Sequence, residues 1–260
     1  MLRCLLSCSL VLSGMCDGVN CLEDVSKFSE DTLIPRDILF AKPDKFCVKL
    51  SPDGKHISYF ARSGSEVILC IETLEGKLVQ KFPITSARNM YGYCWAYTNN
   101  HILVPEDNQG DENDHILCLN IVTGEKKNLT PFAKYKSFVV GRSPKSPNEI
   151  LFYNNQRNPQ WFDVYKVNIS TGDCKKVFEN NAYTEMLFNE NFELKVLTKI
   201  LDNGDIELLT ADNQLILKVP FEDTGVFGTY HLKKGEDLLY ASAAQGKDKA
   251  SLISIDINTK

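Results

Sequence analysis

The chain has 260 residues, 43% hydrophobic and 24% charged, with a formal net charge of −5. This composition suits a globular domain with a sizeable core and excludes a disordered chain. It also excludes a nucleic-acid footprint, which needs a basic face; the Lys126-Lys127 pair beside a turn reads as a solvated loop.

The first 21 residues stand apart. Arg3 gives a minimal positive start, and residues 4–15 form an apolar run of signal-peptide length, too short to span a bilayer. Residues 1–21 are therefore expected to be a secretory signal, which predicts a secreted or periplasmic protein. No other segment is long and apolar enough for a membrane span. A lipoprotein acceptor does not fit: neither Cys16, after Ser13-Gly14-Met15, nor Cys21, after Gly18-Val19-Asn20, has a Leu three residues ahead. Of the nine cysteines, Cys4, Cys8, Cys16 and Cys21 lie in or beside this leader. Cys47, Cys70, Cys94, Cys118 and Cys174 are odd in number, widely spaced and free of any C-x-x-C, which argues against a zinc site and a disulfide framework. They read as small hydrophobes in strands.

An arm over 22–45 leads to a hairpin. Residues 46–50 and 56–60 are short runs of β-formers around Ser51-Pro52-Asp53-Gly54-Lys55. Pro52 presets φ for the first central turn position, Asp53 tolerates the second, and Gly54 can take φ > 0. From here strands and turns alternate with no helical periodicity. The segments 68–76, 116–124, 164–172 and 252–260 resemble one another, and a decayed copy ends at Asp212-Asn213-Gln214. Gly76, Gly124, Gly172, Gln214 and Lys260 are then equivalent, at the period of a propeller blade. Each unit reads as a strand, a hairpin, an apolar-x-apolar-Asp/Asn strand, a Thr-Gly turn and a polar last strand. On this register Cys70 and Cys118 occupy the same blade position and are not a disulfide pair. The fold expected is all-β: a partial β-propeller of about five four-stranded blades over 46–260, with an N-terminal arm. The last blade would leave residues 251–257 as an unpaired edge, prone to pairing with another chain.

Several pieces, in order, resemble the prolyl oligopeptidase family of serine peptidases, in particular its bacterial dipeptidyl aminopeptidase/acylaminoacyl-peptidase branch. They are Ile34-Pro35, Leu39-Phe40, Lys42-Pro43, the Leu50-to-Lys55 turn and Ile57-Ser58-Tyr59. Further on come Leu129-Thr130-Pro131-Phe132, Asn155-Gln156-Arg157-Asn158-Pro159 with Asp163-Val164-Tyr165, and Asp202-Asn203-Gly204. The resemblance runs from about Thr32 to the end. It implies that an intact protein would cleave short peptides with a Ser-Asp-His triad on an α/β-hydrolase portion, the propeller gating access. That family has seven blades ahead of its hydrolase domain, so this chain reads as the front part with the catalytic domain absent. A rival reading is a protein-binding propeller of the Tol type, without catalysis; against it, Ser-Pro-Asp-Gly occurs once here, where Tol-type blades repeat it.

The residues offer no triad. Gly141-Arg142-Ser143-Pro144-Lys145 lacks the second glycine of a nucleophile elbow, and Pro144 has no N–H for an oxyanion. Gly92-Tyr93-Cys94-Trp95-Ala96 imitates an elbow but falls where a blade's first strand is expected. His56, His101, His115 and His231 are dispersed and form no metal-type pair. The acidic run 106–114 lacks calcium-loop spacing and reads as a hairpin loop. Asn128 and Asn168 lie in Asn-x-Ser/Thr sequons. We assign no catalytic, metal or cofactor-binding residue and no cofactor. The partners expected are peptide substrates of the intact protein and the missing hydrolase portion.

Overall fold

The computed structural model describes residues 34–64, 66–84, 92–108, 110–132, 134–244 and 246–259. The expected signal segment and the start of the arm lie outside them. The chain divides into two compact units between Asp44 and Lys45. In the first, Pro35 opens a single helical turn, α1 (Arg36–Leu39). Its carbonyl accepts the Ile38 and Leu39 amides at 3.1 and 2.9 Å; a proline can begin such a turn because its missing N–H would have had no partner there.

The second unit is a row of antiparallel sheets, each built from strands consecutive in sequence. Blade 1 holds β1 (Lys45–Leu50), β2 (His56–Ser63), β3 (Glu66–Thr73) and β4 (Leu78–Ile84). Blade 2 holds β5 (Cys94–Trp95), β6 (His101–Glu106), β7 (His115–Asn120) and β8 (Lys126–Asn128). Blade 3 holds β9 (Ser137–Arg142), β10 (Glu149–Asn158), β11 (Trp161–Asn168) and β12 (Cys174–Phe178). Blade 4 holds β13 (Glu185–Phe188), β14 (Leu194–Ile200), β15 (Ile206–Thr210) and β16 (Leu215–Val219). After a 3-10 turn at Phe221–Val226, blade 5 holds β17 (Gly228–Leu232), β18 (Leu238–Ala243) and β19 (Ser251–Asp256). Four blades thus have four strands, and the fifth has three among the described residues.

Each inner sheet is covered on both faces, so its middle strands are apolar throughout rather than alternating. In β6, Ile102 and Val104 pack with Phe60, Leu69 and Trp95 toward blade 1. Leu103 points the other way, to Ile116, Ile150 and Phe152 toward blade 3. Burying a side chain of this size contributes about 1.5–3 kcal/mol. The layers between blades are where the fold is held.

Two recurring turns set the blade period. The Ser51 side chain accepts the Lys55 and His56 amides at 3.1 and 3.0 Å, while Gly54 sits at φ 70°. The Asn at the end of the third strand explains itself likewise. Asn120 Oδ1 accepts the Val122 and Thr123 amides, and Asn168 Oδ1 accepts those of Ser170 and Thr171, all at 2.9–3.1 Å. The following Gly124 and Gly172 take φ 76° and 84°. Gly172→Ala should cost about 1–2 kcal/mol, the strain of an L-residue in the left-handed region; a thermal melt reads it.

Two expectations are corrected. In blade 4 the left-handed residue is Asn213, at φ 62°, not Gln214, whose backbone carbonyl instead accepts the Thr210 amide. Cys70 and Cys118 are not equivalent. Thr73 pairs with His56 and Asn120 with His101, which aligns Cys118 with Ile71. Both of these point to the next blade, whereas Cys70 lies on blade 1's opposite face. Blade 1's last turn is one residue shorter, and a slip of one residue flips a side chain across a sheet.

Among the described residues strand β19 pairs with β18 alone, and Leu252 on it is 72% exposed. A long apolar edge invites pairing with another chain, and a lysine blunts it. Leu252→Lys should therefore lower the concentration-dependent mass seen by light scattering.

Candidate functional site

The first strands of blades 2 to 5 converge on a cavity of about 910 Å³. Tyr93, Cys94 and Tyr97 form its blade 2 wall, and Gly141 and Arg142 its blade 3 wall. Blade 4 adds Met186 and Phe188, and blade 5 adds Tyr230, His231 and the turn at Lys233-Lys234.

Each wall is pinned to its neighbour. Tyr93 ends a buried relay: the Trp95 indole N–H donates to Ser58 Oγ at 2.8 Å, and Ser58 lies 2.8 Å from the Tyr93 hydroxyl. That hydroxyl donates to the Cys47 carbonyl at 2.7 Å, and the Ser58 hydroxyl has the Tyr93 oxygen at 2.8 Å as its nearer acceptor, the Lys49 carbonyl lying at 3.3 Å. Cys47 sits at φ 54° in a bulge of β1, a strained setting for a non-glycine residue. Gly141 is needed because a Cβ there would meet Leu151 Cβ at 3.0 Å. Arg142 donates to the Trp95 carbonyl across the blade boundary and lies 5.9 Å from the Tyr97 ring. The Met186 amide donates to the Tyr153 hydroxyl at 2.9 Å, and burial pushes that phenol up to about 12. Thr229 donates to Glu185 Oε2 at 2.7 Å, joining blade 5 to blade 4.

The sequence motifs fall around this cavity in structural roles. Ser143 is buried, donates to the Glu190 carbonyl at 2.6 Å and accepts the Lys145 amide. It is blade 3's counterpart of Ser51, closing the first hairpin. Cys94 lies in β5, the expected first strand. Burial raises its thiol, against the pull of Arg142 and Lys49, so it stays protonated at neutral pH. His56 stacks on Trp95, His101 bonds to Thr98 and Asn120, and His115 Nδ1 donates to the Thr130 carbonyl at 2.7 Å. His231 leans on Tyr240. The acidic loop closes on Asp111, which accepts the Asn108 and Asn113 amides. Among the described residues no cluster of His, Cys, Asp and Glu could hold a metal.

The Asn-x-Arg-x-Pro and Asp-Val-Tyr pieces meet in an ion pair between a half-buried Arg157 and a buried Asp163. Arg157 grips Asp163 through Nε at 2.8 Å and Nη2 at 2.9 Å. The Asn180 amide donates to Asp163 at 2.9 Å, and Arg157 also donates to the Asn180 carbonyl. Burial would raise the Asp163 pKa, but the Arg157 and Asn180 bonds and the charges of Arg157 and Lys176 hold it below the ordinary carboxylate value. This pair fixes the link from blade 3 to blade 4.

Sequence reasoning missed the cavity wall itself. Its residues are about a blade apart in sequence, and they stand out only once each blade's first strand is known to face inward.

No family model matches the chain. It is 31% identical over 232 residues to dipeptidyl aminopeptidase BIII of Pseudoxanthomonas mexicana, covering 86% of this chain and 34% of that protein. The chain spans about a third of the length of the curated relatives it matches. Among solved structures, the β-propeller domain of the trilobed protease of Pyrococcus furiosus aligns at a TM-score of 0.51 and 15% identity, over 82% of this chain and 67% of that one. Prolyl oligopeptidase B of Galerina marginata aligns at 0.52 and 8% identity, over 80% of this chain and 34% of that one. These two likenesses concern the fold. Taken with the motifs and the blades, the match to the aminopeptidase makes the chain similar to the N-terminal propeller portion of prolyl oligopeptidase-family proteins, dipeptidyl aminopeptidases among them.

Proposed function

We propose that this chain is the propeller that screens short peptides for a serine exopeptidase of the dipeptidyl aminopeptidase type. The chemistry would lie on an α/β-hydrolase portion of the intact protein, outside these residues. The observation that carries the reading is the convergence of four inner strands on one cavity, in a chain 31% identical to such an aminopeptidase. The cavity's phenols, thioether and guanidinium can hold and orient a peptide strand. Ser143, the one serine in an elbow-like sequence, spends its hydroxyl on a carbonyl. A narrow apolar cleft with a few polar groups admits a small ligand and rejects a folded one. Secretion, through the N-terminal segment, belongs to the same proposal.

The test uses the purified chain. It should release no naphthylamide from dipeptidyl substrates and take no fluorophosphonate label, yet bind unstructured pentapeptides and ignore a folded protein of similar charge. Turnover by this chain would overturn the assignment of chemistry elsewhere. Equal binding of folded and unfolded ligands would overturn the screening role.

A further inference from the structure

Resting on the reading of the cavity as a peptide site, we infer that it selects peptides carrying a carboxylate, with Arg142 and Lys234 as the receiving cations. The charged side chains lining the cavity, among the described residues, are Arg142, Glu190, Lys233 and Lys234. Two of these four are already neutralised. Glu190 pairs with Lys145 at 3.4 Å, and Lys233 pairs with Glu236 at 2.7 Å. Arg142 donates to a backbone carbonyl, that of Trp95, which positions the guanidinium without cancelling its charge. No carboxylate among the described residues pairs with Arg142 or Lys234. Lys49 adds a third such cation behind the wall: it donates to the Tyr93 carbonyl and lies 4.9 Å over the Tyr93 ring.

The cavity is therefore cationic within a chain of net charge −5. Its sign opposes that of the molecule, so it follows from local placement rather than composition. Tyr93, Tyr97, Met186, Phe188 and Tyr230 surround these charges with low-dielectric surface, which concentrates the field on an entering ligand. A guanidinium with one N–H fixed and others free is suited to a carboxylate, which it can meet with two parallel bonds. A peptide amine or lysine side chain would find no unpaired acid there.

Fluorescence anisotropy on the full chain tests this with three C-terminally amidated pentapeptides that differ only in a central Glu, Gln or Lys. A fourth, the Gln peptide with a free C-terminus, separates terminal from side-chain carboxylates. At low salt the Glu peptide should bind about fivefold tighter than the Gln peptide, the scale of one solvent-accessible ion pair, with the Lys peptide weakest. The preference should shrink as salt rises, and it should be lost in Arg142→Gln and reduced in Lys234→Gln. Lys234 is exposed, so its variant keeps the test valid if Arg142→Gln fails to fold. If the free terminus restores the Gln peptide to the Glu level, either carboxylate is accepted; if not, the side chain is read. Equal binding of Glu, Gln and Lys peptides overturns the charge preference and leaves the peptide site standing. Binding of none of the four overturns both.

Discussion

Replacing Asp163 with alanine should lower the unfolding free energy by about 2–3 kcal/mol, the scale of losing hydrogen bonds to a charged group and leaving a buried amide unpaired. Asp163 is fully buried, and its loss strands the Arg157 fork and leaves the Asn180 amide without its acceptor. Urea melts measure the loss. The reciprocal change, Arg157→Ala, is more damaging, because it leaves a buried carboxylate rather than a guanidinium that can still reach water. The two variants part company with pH. In the parent chain the folded Asp163 pKa lies below the unfolded value. Its stabilisation is therefore complete above the unfolded pKa of about 3.9 and is lost as pH falls through the folded value. In Arg157→Ala the unpaired carboxylate should titrate above its unfolded value. The parent loses some stability as pH falls from 7 toward 5, because burial holds His101 neutral and unfolding lets it charge; over the same range the stability gap between Arg157→Ala and the parent should narrow. A gap that stays constant would mean that Lys176 and Asn180 suffice to hold the charge.

Ser58→Ala should cost about 1–3 kcal/mol, the price of a buried donor left without a partner. Ser58 is the middle of the relay from Trp95 to Cys47 and is 0% exposed. Without its hydroxyl, the Trp95 N–H has no acceptor and the Tyr93 oxygen loses its donor, though Tyr93 can still donate to Cys47. Trp95→Phe removes the same donor together with its demand. The double variant should thus cost less than the sum of the singles, and the shortfall is the coupling between them. Strict additivity in the melts would show that the relay is three independent contacts.

Much of the fold was legible because its signals are local. Pro52, Asp53 and Gly54 define a turn by their own backbone preferences, and Asn120 and Asn168 announce the second turn by bonding amides two and three residues ahead. Registers that depend on counting residues across a turn were not legible. Gly76 and Gly124 look alike, yet blade 1 reaches its glycine one residue sooner, and that difference sends Cys70 and Cys118 to opposite faces. The stretch from Gly141 to Lys145 reads as a blade loop, and Ser143 opens its turn: Lys145-Ser146 stands where blade 1 has Asp53-Gly54, and the Ser146 amide donates to the Ser143 carbonyl as that of Gly54 does to Ser51. Arg142, Tyr97 and Lys234 came from three separate blades, and no spacing in the chain reports that their inner strands share a wall.

The layers between blades thin along the chain. Blades 1 and 2 share an aromatic layer with Phe60, Phe82, Tyr93 and Trp95. Among the described residues, blades 4 and 5 share only Val196, Leu208, Leu239 and Ile257 as fully packed members. Polar ties such as Tyr153 to Met186 and Thr229 to Glu185 also join adjacent blades. Such an array behaves as a row of coupled units, each feeling its nearest neighbours. Amide hydrogen exchange should accordingly run as a gradient, fastest in β17 to β19 and slowest in β2, β3 and β6. Melting would travel like a zipper from the fifth blade toward the first, and the cavity's blade 5 wall, with Lys233 and Lys234, would be the panel that opens before the others let go.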